Sequence, residues 1–150
     1  MEIKAILQKP YTYNERMDFI VQYNHGMGYV IEETETELQA LGYTQEELEV
    51  QEKERIAKLY LTGADVERGI YQAKGMDFDD IMAFVMANPP AGLDVKALRI
   101  ELKANNFYRG NPYVNTIGLL LGFNKKQLDK FFEFNDYKYL LGESEVEPNE

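Results

Sequence analysis

The sequence predicts a mainly α protein in four stretches. These are a small N-terminal α+β portion (1–43), a polar linking helix (44–61), a bundle of about five short helices with helix-turn-helix-like corners (62–140) and an acidic disordered tail (141–150). Three observations predict it. Helix-start signals recur along the chain. Apolar residues fall at helical spacing through the C-terminal half, most densely over 93–134. The clearest strand signal is a short β-branched and aromatic run opening at Tyr29.

Residues 2–9 alternate imperfectly and end at Pro10, as a strand or extended lead-in would. Thr12 and Glu15 have capping-box spacing before a helix whose marked face is Met17, Ile20, Val21 and Asn24, with Phe19 and Tyr23 flanking. The residues His25-Gly26-Met27-Gly28 break it. Tyr29–Thr36 then reads as a strand, with Leu38, Leu41 and Tyr43 either continuing it or making a turn of helix. Thr44 and Glu47 form a second capping box, opening a helix with a narrow stripe of Leu48, Ile56 and Leu59. Its Glu49–Lys53 and Glu54–Lys58 pairs have the favourable acid-first order, worth ~0.3–0.5 kcal/mol each. A narrow stripe fits a bridge between modules or a helix that meets a partner.

Further on, Thr62 or Gly63 starts a helix with Val66, Ile70 and Ala73 inward, and Gly75 stops it. Asp77 caps the next, Asp79 and Asp80 suit its dipole, and Asn88-Pro89-Pro90 ends it. Asp94 caps a helix carrying Val95, Leu98 and Leu102. Asn111-Pro112 opens one carrying Val114, Ile117, Leu120 and Leu121, and Gly122 closes it. Asn124 with Gln127 boxes a last helix carrying Leu128, Phe131 and Phe132. The corner at Gly75, with Met76, Asp77, Ile81 and Phe84, parallels that at Gly122, with Phe123, Asn124, Leu128 and Phe131.

Net charge is −10, concentrated at the two ends, while 61–140 balances. An acidic chain is repelled by phosphate backbones at long range, which counts against general nucleic-acid binding. The chain has no cysteine, hence no disulfide framework and no thiolate metal site. Neither a signal peptide nor a membrane span is expected, which points to a soluble protein of the cytoplasm.

No constellation for catalysis, metal or cofactor stands out. His25 has no second histidine or cysteine to complete a base or metal pair, so it reads as a turn residue. Of Glu32, Glu33, Glu35 and Glu37, a strand would bring Glu33, Glu35 and Glu37 to one face, which reads as a solvated acidic face. The most distinctive polar stretch is 105–112. There Phe107, Tyr108 and Arg109 are the candidate partner-binding residues, since these types dominate contact hot spots; the alternative folds the aromatics over the core and sets Arg109 on helix carbonyls. The last two helices also have helix-turn-helix spacing, with small Gly118 four residues before Gly122. Asn124, Lys125, Lys126 and Gln127 would then begin a recognition helix, and they are the candidate DNA-binding residues if the corner reads DNA rather than only packing.

The stretch from Tyr11 to Leu59, followed by Leu61–Asp80 and Leu102–Phe123, resembles small proteins encoded by phages and prophages of Gram-positive, largely gut-dwelling bacteria, among tail and tail-fibre genes. The resemblance implies a tail-associated structural or assembly protein, not an enzyme. It would contact phage tail or host proteins, in the host cytoplasm or in the virion, with homo-oligomers open. Two alternatives stand beside it. One is a DNA-binding regulator using 116–134. The other is an acidic inhibitor of a host nucleic-acid-binding protein, with 32–54 as its charge array.

Overall fold

The computed structural model describes residues 1–142. It is mostly helical, with seven α-helices, one three-stranded sheet and one two-stranded sheet among the described residues. The chain divides into two compact units, one up to Lys53 and one from Glu54 on. No helix among the described residues is long and apolar enough to cross a membrane. From position 143 the expected tail lies outside the described residues, and Leu141, placed in that tail, is held by Gln127, whose Nε2 donates to its carbonyl at 2.5 Å.

The N-terminal unit opens with β1 (Glu2–Gln8) and α1 (Tyr13–Gln22), followed by β2 (Val30–Glu33) and β3 (Glu37–Gly42). The strands form an antiparallel sheet in the order β1-β3-β2. Thr12 and Glu15 close the expected capping box on α1. His25 lies in an exposed turn that ends at left-handed Gly28. The expected strand over Tyr29–Thr36 is instead the first arm of a hairpin. Thr34 turns the chain: its hydroxyl accepts from the amides of Thr36 and Glu37, and its own amide donates to the Glu37 carbonyl.

The rotation of α1 also differs from the expected one. Phe19 is buried over Leu38 and Ala40, with Ile20 and Tyr23 alongside, whereas Met17 is exposed and Val21 is 66% exposed. Contacts of Tyr23 with Phe19 at 4.9 Å and with Tyr29 at 5.2 Å set this rotation.

Glu33 does not share a sheet face with Glu37: it sits opposite Leu38, whereas Glu37 lies with Gln8 and Gln39. Glu33 accepts from the Tyr11 hydroxyl at 2.7 Å and pairs with Lys9 at 3.0 Å and Arg16 at 3.5 Å. The Tyr11 hydrogen bond, then Lys9, lowers its pKa from 4.5 to about 2. A depressed carboxylate stabilises the fold fully above its unfolded value, and that contribution is lost as pH falls through the folded one. Glu33→Gln is therefore expected to flatten the stability profile between pH 4.5 and about 2. Urea melts of both proteins at stepped pH check this; parallel profiles would remove the role given to the Tyr11 and Lys9 contacts.

Helix α2 (Gln45–Ala57) starts at the Thr44–Glu47 box and buries none of its residues. Glu49 accepts from Gln45 rather than pairing with Lys53. The helix stops at Ala57 instead of 61, because the amides of Lys58 and Leu59 tighten onto the carbonyls of Arg55 and Ile56. Tyr60–Thr62 is then β4, whose partner is far along the chain.

The second unit continues with α3 (Gly63–Lys74), α4 (Phe78–Ala87), α5 (Val95–Glu101), β5 (Asn106–Tyr108), α6 (Pro112–Leu121) and α7 (Lys125–Phe134), and a 3₁₀ turn follows at Tyr137–Leu140. Every expected cap is present: Thr62, Asp77 boxed with Asp80, Asp94, Asn111 before Pro112, and Asn124 boxed with Gln127. Gly75 and Gly122 end their helices at positive φ. The core runs from Leu61, Val66 and Ile70 through Ile81, Val85 and Leu98 to Val114, Leu128, Phe131 and Phe132. The two corners are not equivalent. Phe84 is exposed where Phe131 is buried, and Val85 takes the inward place on α4.

Candidate functional site

Strands β4 and β5 pair antiparallel, setting Tyr60 opposite Tyr108, Leu61 opposite Phe107 and Thr62 opposite Asn106. Alternation sends Leu61 and Phe107 inward and the two tyrosines outward. From the sequence, Phe107, Tyr108 and Arg109 stand together as candidate partner-binding residues. The ribbon separates them. Phe107 is 4% exposed and stacks on Phe78 at 5.7 Å, so it belongs to the core. Tyr108 is 51% exposed, and its ring lies 5.6 Å from that of Tyr60.

Arg109, the next inward position, is 6% exposed. Its Nη1 donates to Asn115 Oδ1 at 2.9 Å and its Nη2 to the Lys125 carbonyl at 3.4 Å. Nε lies 2.7 Å from Asp129 Oδ1, an ion pair whose angle is not that of a hydrogen bond. The guanidinium thus ties the end of the ribbon to α6 and α7. The arginine does reach a helix carbonyl, but at the N-terminus of α7 rather than among the free carbonyls of a helix C-terminus. Phe107 and Arg109 therefore support the surface that Tyr108 presents and are not open to a partner themselves. Tyr60, absent from the sequence-based candidates, completes that surface. The available signal was the β-prone run Tyr60-Leu61-Thr62, but a run of three residues cannot name its partner strand.

At the α6–α7 corner, a Cβ on Gly118 would lie 2.6 Å from Leu128 Cδ1, so the glycine is the point of close approach. The Phe123 amide donates to the Gly118 carbonyl at 2.7 Å, closing the turn around Gly122. Of the four candidate DNA-binding residues, Asn124, Lys125 and Lys126 are exposed and Gln127 is half-buried. Asn124 and Gln127 spend their side-chain oxygens on each other's amides at 2.8 and 2.9 Å. Glu133, further along α7, accepts from Arg55 at 2.7 and 3.1 Å.

The acids of the proposed charge array are split. Glu33 is engaged by two bases, whereas Glu46 and Glu49, exposed on α2, face no basic side chain in an ion pair among the described residues. Among the described residues no group of three or more His, Asp or Glu side chains is placed to hold a metal. What the ribbon offers chemically is two exposed phenol rings and their hydroxyls on a strand pair whose other side is core. No family model, curated protein or solved structure matches this chain.

Proposed function

We propose that this protein acts through protein–protein contacts, as a phage tail-associated structural or assembly component, and that its partner seats on the Tyr60–Tyr108 face. The observation that carries the reading is the exposed cross-strand tyrosine pair on a ribbon whose opposite side is core. Tyrosines favour such surfaces, and a pre-ordered pair loses little entropy on binding. The resemblance to tail-region proteins supports the class of partner, and host cytoplasm or virion as the place.

The test is a pull-down from cells carrying the intact prophage, comparing the natural chain with Tyr60→Ser plus Tyr108→Ser. Hot-spot tyrosines cost about 2 kcal/mol or more each, so capture of tail proteins should fall by tenfold or more. Undiminished capture would move the contact elsewhere on the surface. A host nucleic-acid-binding protein in the eluate would favour the inhibitor reading, with the exposed acids of α2 as its array.

A second reading rests on the Gly118–Leu128 contact, which supports a helix-turn-helix corner with Lys125 and Lys126 at the start of the second helix. A DNA reader would lose affinity steeply with salt, and Lys125→Ala plus Lys126→Ala would lower the slope by about 2. Fluorescence anisotropy on duplex DNA reads this directly.

A further inference from the structure

The sheet of the N-terminal unit is covered on one face only. Helix α1 lies over Leu38 and Ala40, and the residues alternating with them point the other way. On that second face the register sets Ile3, Leu41 and Val30 in one row and Ile6, Gln39 and Glu32 in the next, with Gln8 opposite Glu37 beyond. Two hydrogen bonds confirm the shared face: Gln8 Nε2 donates to Glu37 Oε1 at 3.3 Å and Gln39 Nε2 to Glu37 Oε2 at 2.7 Å. Ile3 is 49% and Ile6 46% exposed, and Leu41 and Val30 are half-buried. An antiparallel sheet with one solvated face ordinarily turns polar side chains to water. Here one end of that face is four branched aliphatics. The other end carries Glu32 and Glu37, and no strand residue on this face is basic.

We propose that this face docks a cationic amphipathic segment of a partner protein. Its apolar side chains would lie on Ile3, Ile6, Leu41 and Val30, and its lysines or arginines would reach Glu32 and Glu37. Charge selects the occupant. A second copy would lay one pair of carboxylates near another, and residues 1–53 hold eleven acids against four bases. An anionic lipid surface is opposed on the same ground. The inference shares no residue with the tyrosine face, so either can fail alone.

The test uses the full chain and labelled peptides of equal length: leucine–lysine amphipathic, leucine–glutamate and serine–lysine. The leucine–lysine peptide should bind best, and Ile3→Ser plus Ile6→Ser should weaken it by at least about tenfold. Glu46→Gln plus Glu49→Gln, on α2, should leave affinity unchanged. Amide shifts on the natural chain should concentrate in β1, β2 and β3, which keeps the test readable if the serine variant fails to fold. The proposal is overturned if the serine–lysine or leucine–glutamate peptide binds as tightly, or if no binding is seen. It is equally overturned if the α2 variant weakens binding as much as the isoleucine variant, or if the shifts lie elsewhere. A dimer in sedimentation that Ile6→Ser dissolves would assign the face to a second copy instead.

Discussion

Gly69→Leu is expected to destabilise the unit from Glu54 on by about 3 kcal/mol or more, the upper end of overpacking costs. A Cβ at Gly69 would press on Phe131 Cζ and lie 2.6 Å from its Cε1. That ring is 2% exposed and meets Phe132 edge-on at 5.8 Å, so it can make room only by shifting within the core. Gly118 offers the contrast. Its added Cβ would meet Leu128 Cδ1, the far end of a side chain that can change rotamer. Relief of glycine's helix penalty, about 1 kcal/mol, also offsets part of the cost at both sites. The expected order of destabilisation is Gly69→Leu, then Gly69→Ala, then Gly118→Ala. Urea melts followed by far-ultraviolet circular dichroism give the order directly. A Gly69→Leu protein that melts with the natural one would show that α3 does not pack on Phe131 as described.

Leu38→Ala is expected to cost about 2–5 kcal/mol, the range for emptying a fully buried leucine site. Leu38 is completely inaccessible, and Phe19 and Ala40 are the other buried apolar residues of its cluster. So small a unit has little stability in reserve, and this loss is comparable with all of it. The near-ultraviolet signal of Tyr11, Tyr23 and Tyr29, which pack around this core, should therefore collapse at temperatures where the second unit stays folded. Ile6→Ala, on the uncovered face, should shift stability by no more than about 0.5 kcal/mol. Equal effects from the two substitutions would contradict the assignment of inner and outer faces.

What could be read from the sequence was what depends on near neighbours. The boxes at Thr12–Glu15, Thr44–Glu47 and Asn124–Gln127 need only a side chain and an amide three residues away. Gly75 and Gly122 were legible because a helix end at positive φ asks for glycine. Much of the second unit's core also followed from helical spacing, as Val66, Ile70, Leu98, Ile117 and Phe131 illustrate. What escaped depends on distant partners. The buried face of α1 is chosen by β3 and Tyr29, so Met17 and Val21 point outward despite their chemistry. Thr34 hid a hairpin inside a run of glutamates and threonines. The candidate site was half legible for the same reason. The sequence leaves open whether the aromatics face solvent or the core; Tyr108 is exposed, and the inward turn of Phe107 and Arg109 is set by pairing with β4.

That pairing also fixes when the tyrosine face comes into being. Three helices, α3, α4 and α5, lie in the chain between Tyr60 and Tyr108, so the two rings meet only after this intervening length has drawn its ends together. Loop closure of this kind is an entropic cost met before the contact returns anything, which places such contacts late in folding. A nascent chain that has emerged only as far as α5 carries Tyr60 but not its mate. A partner that recognises the pair therefore passes over any chain that has not yet emerged beyond Tyr108.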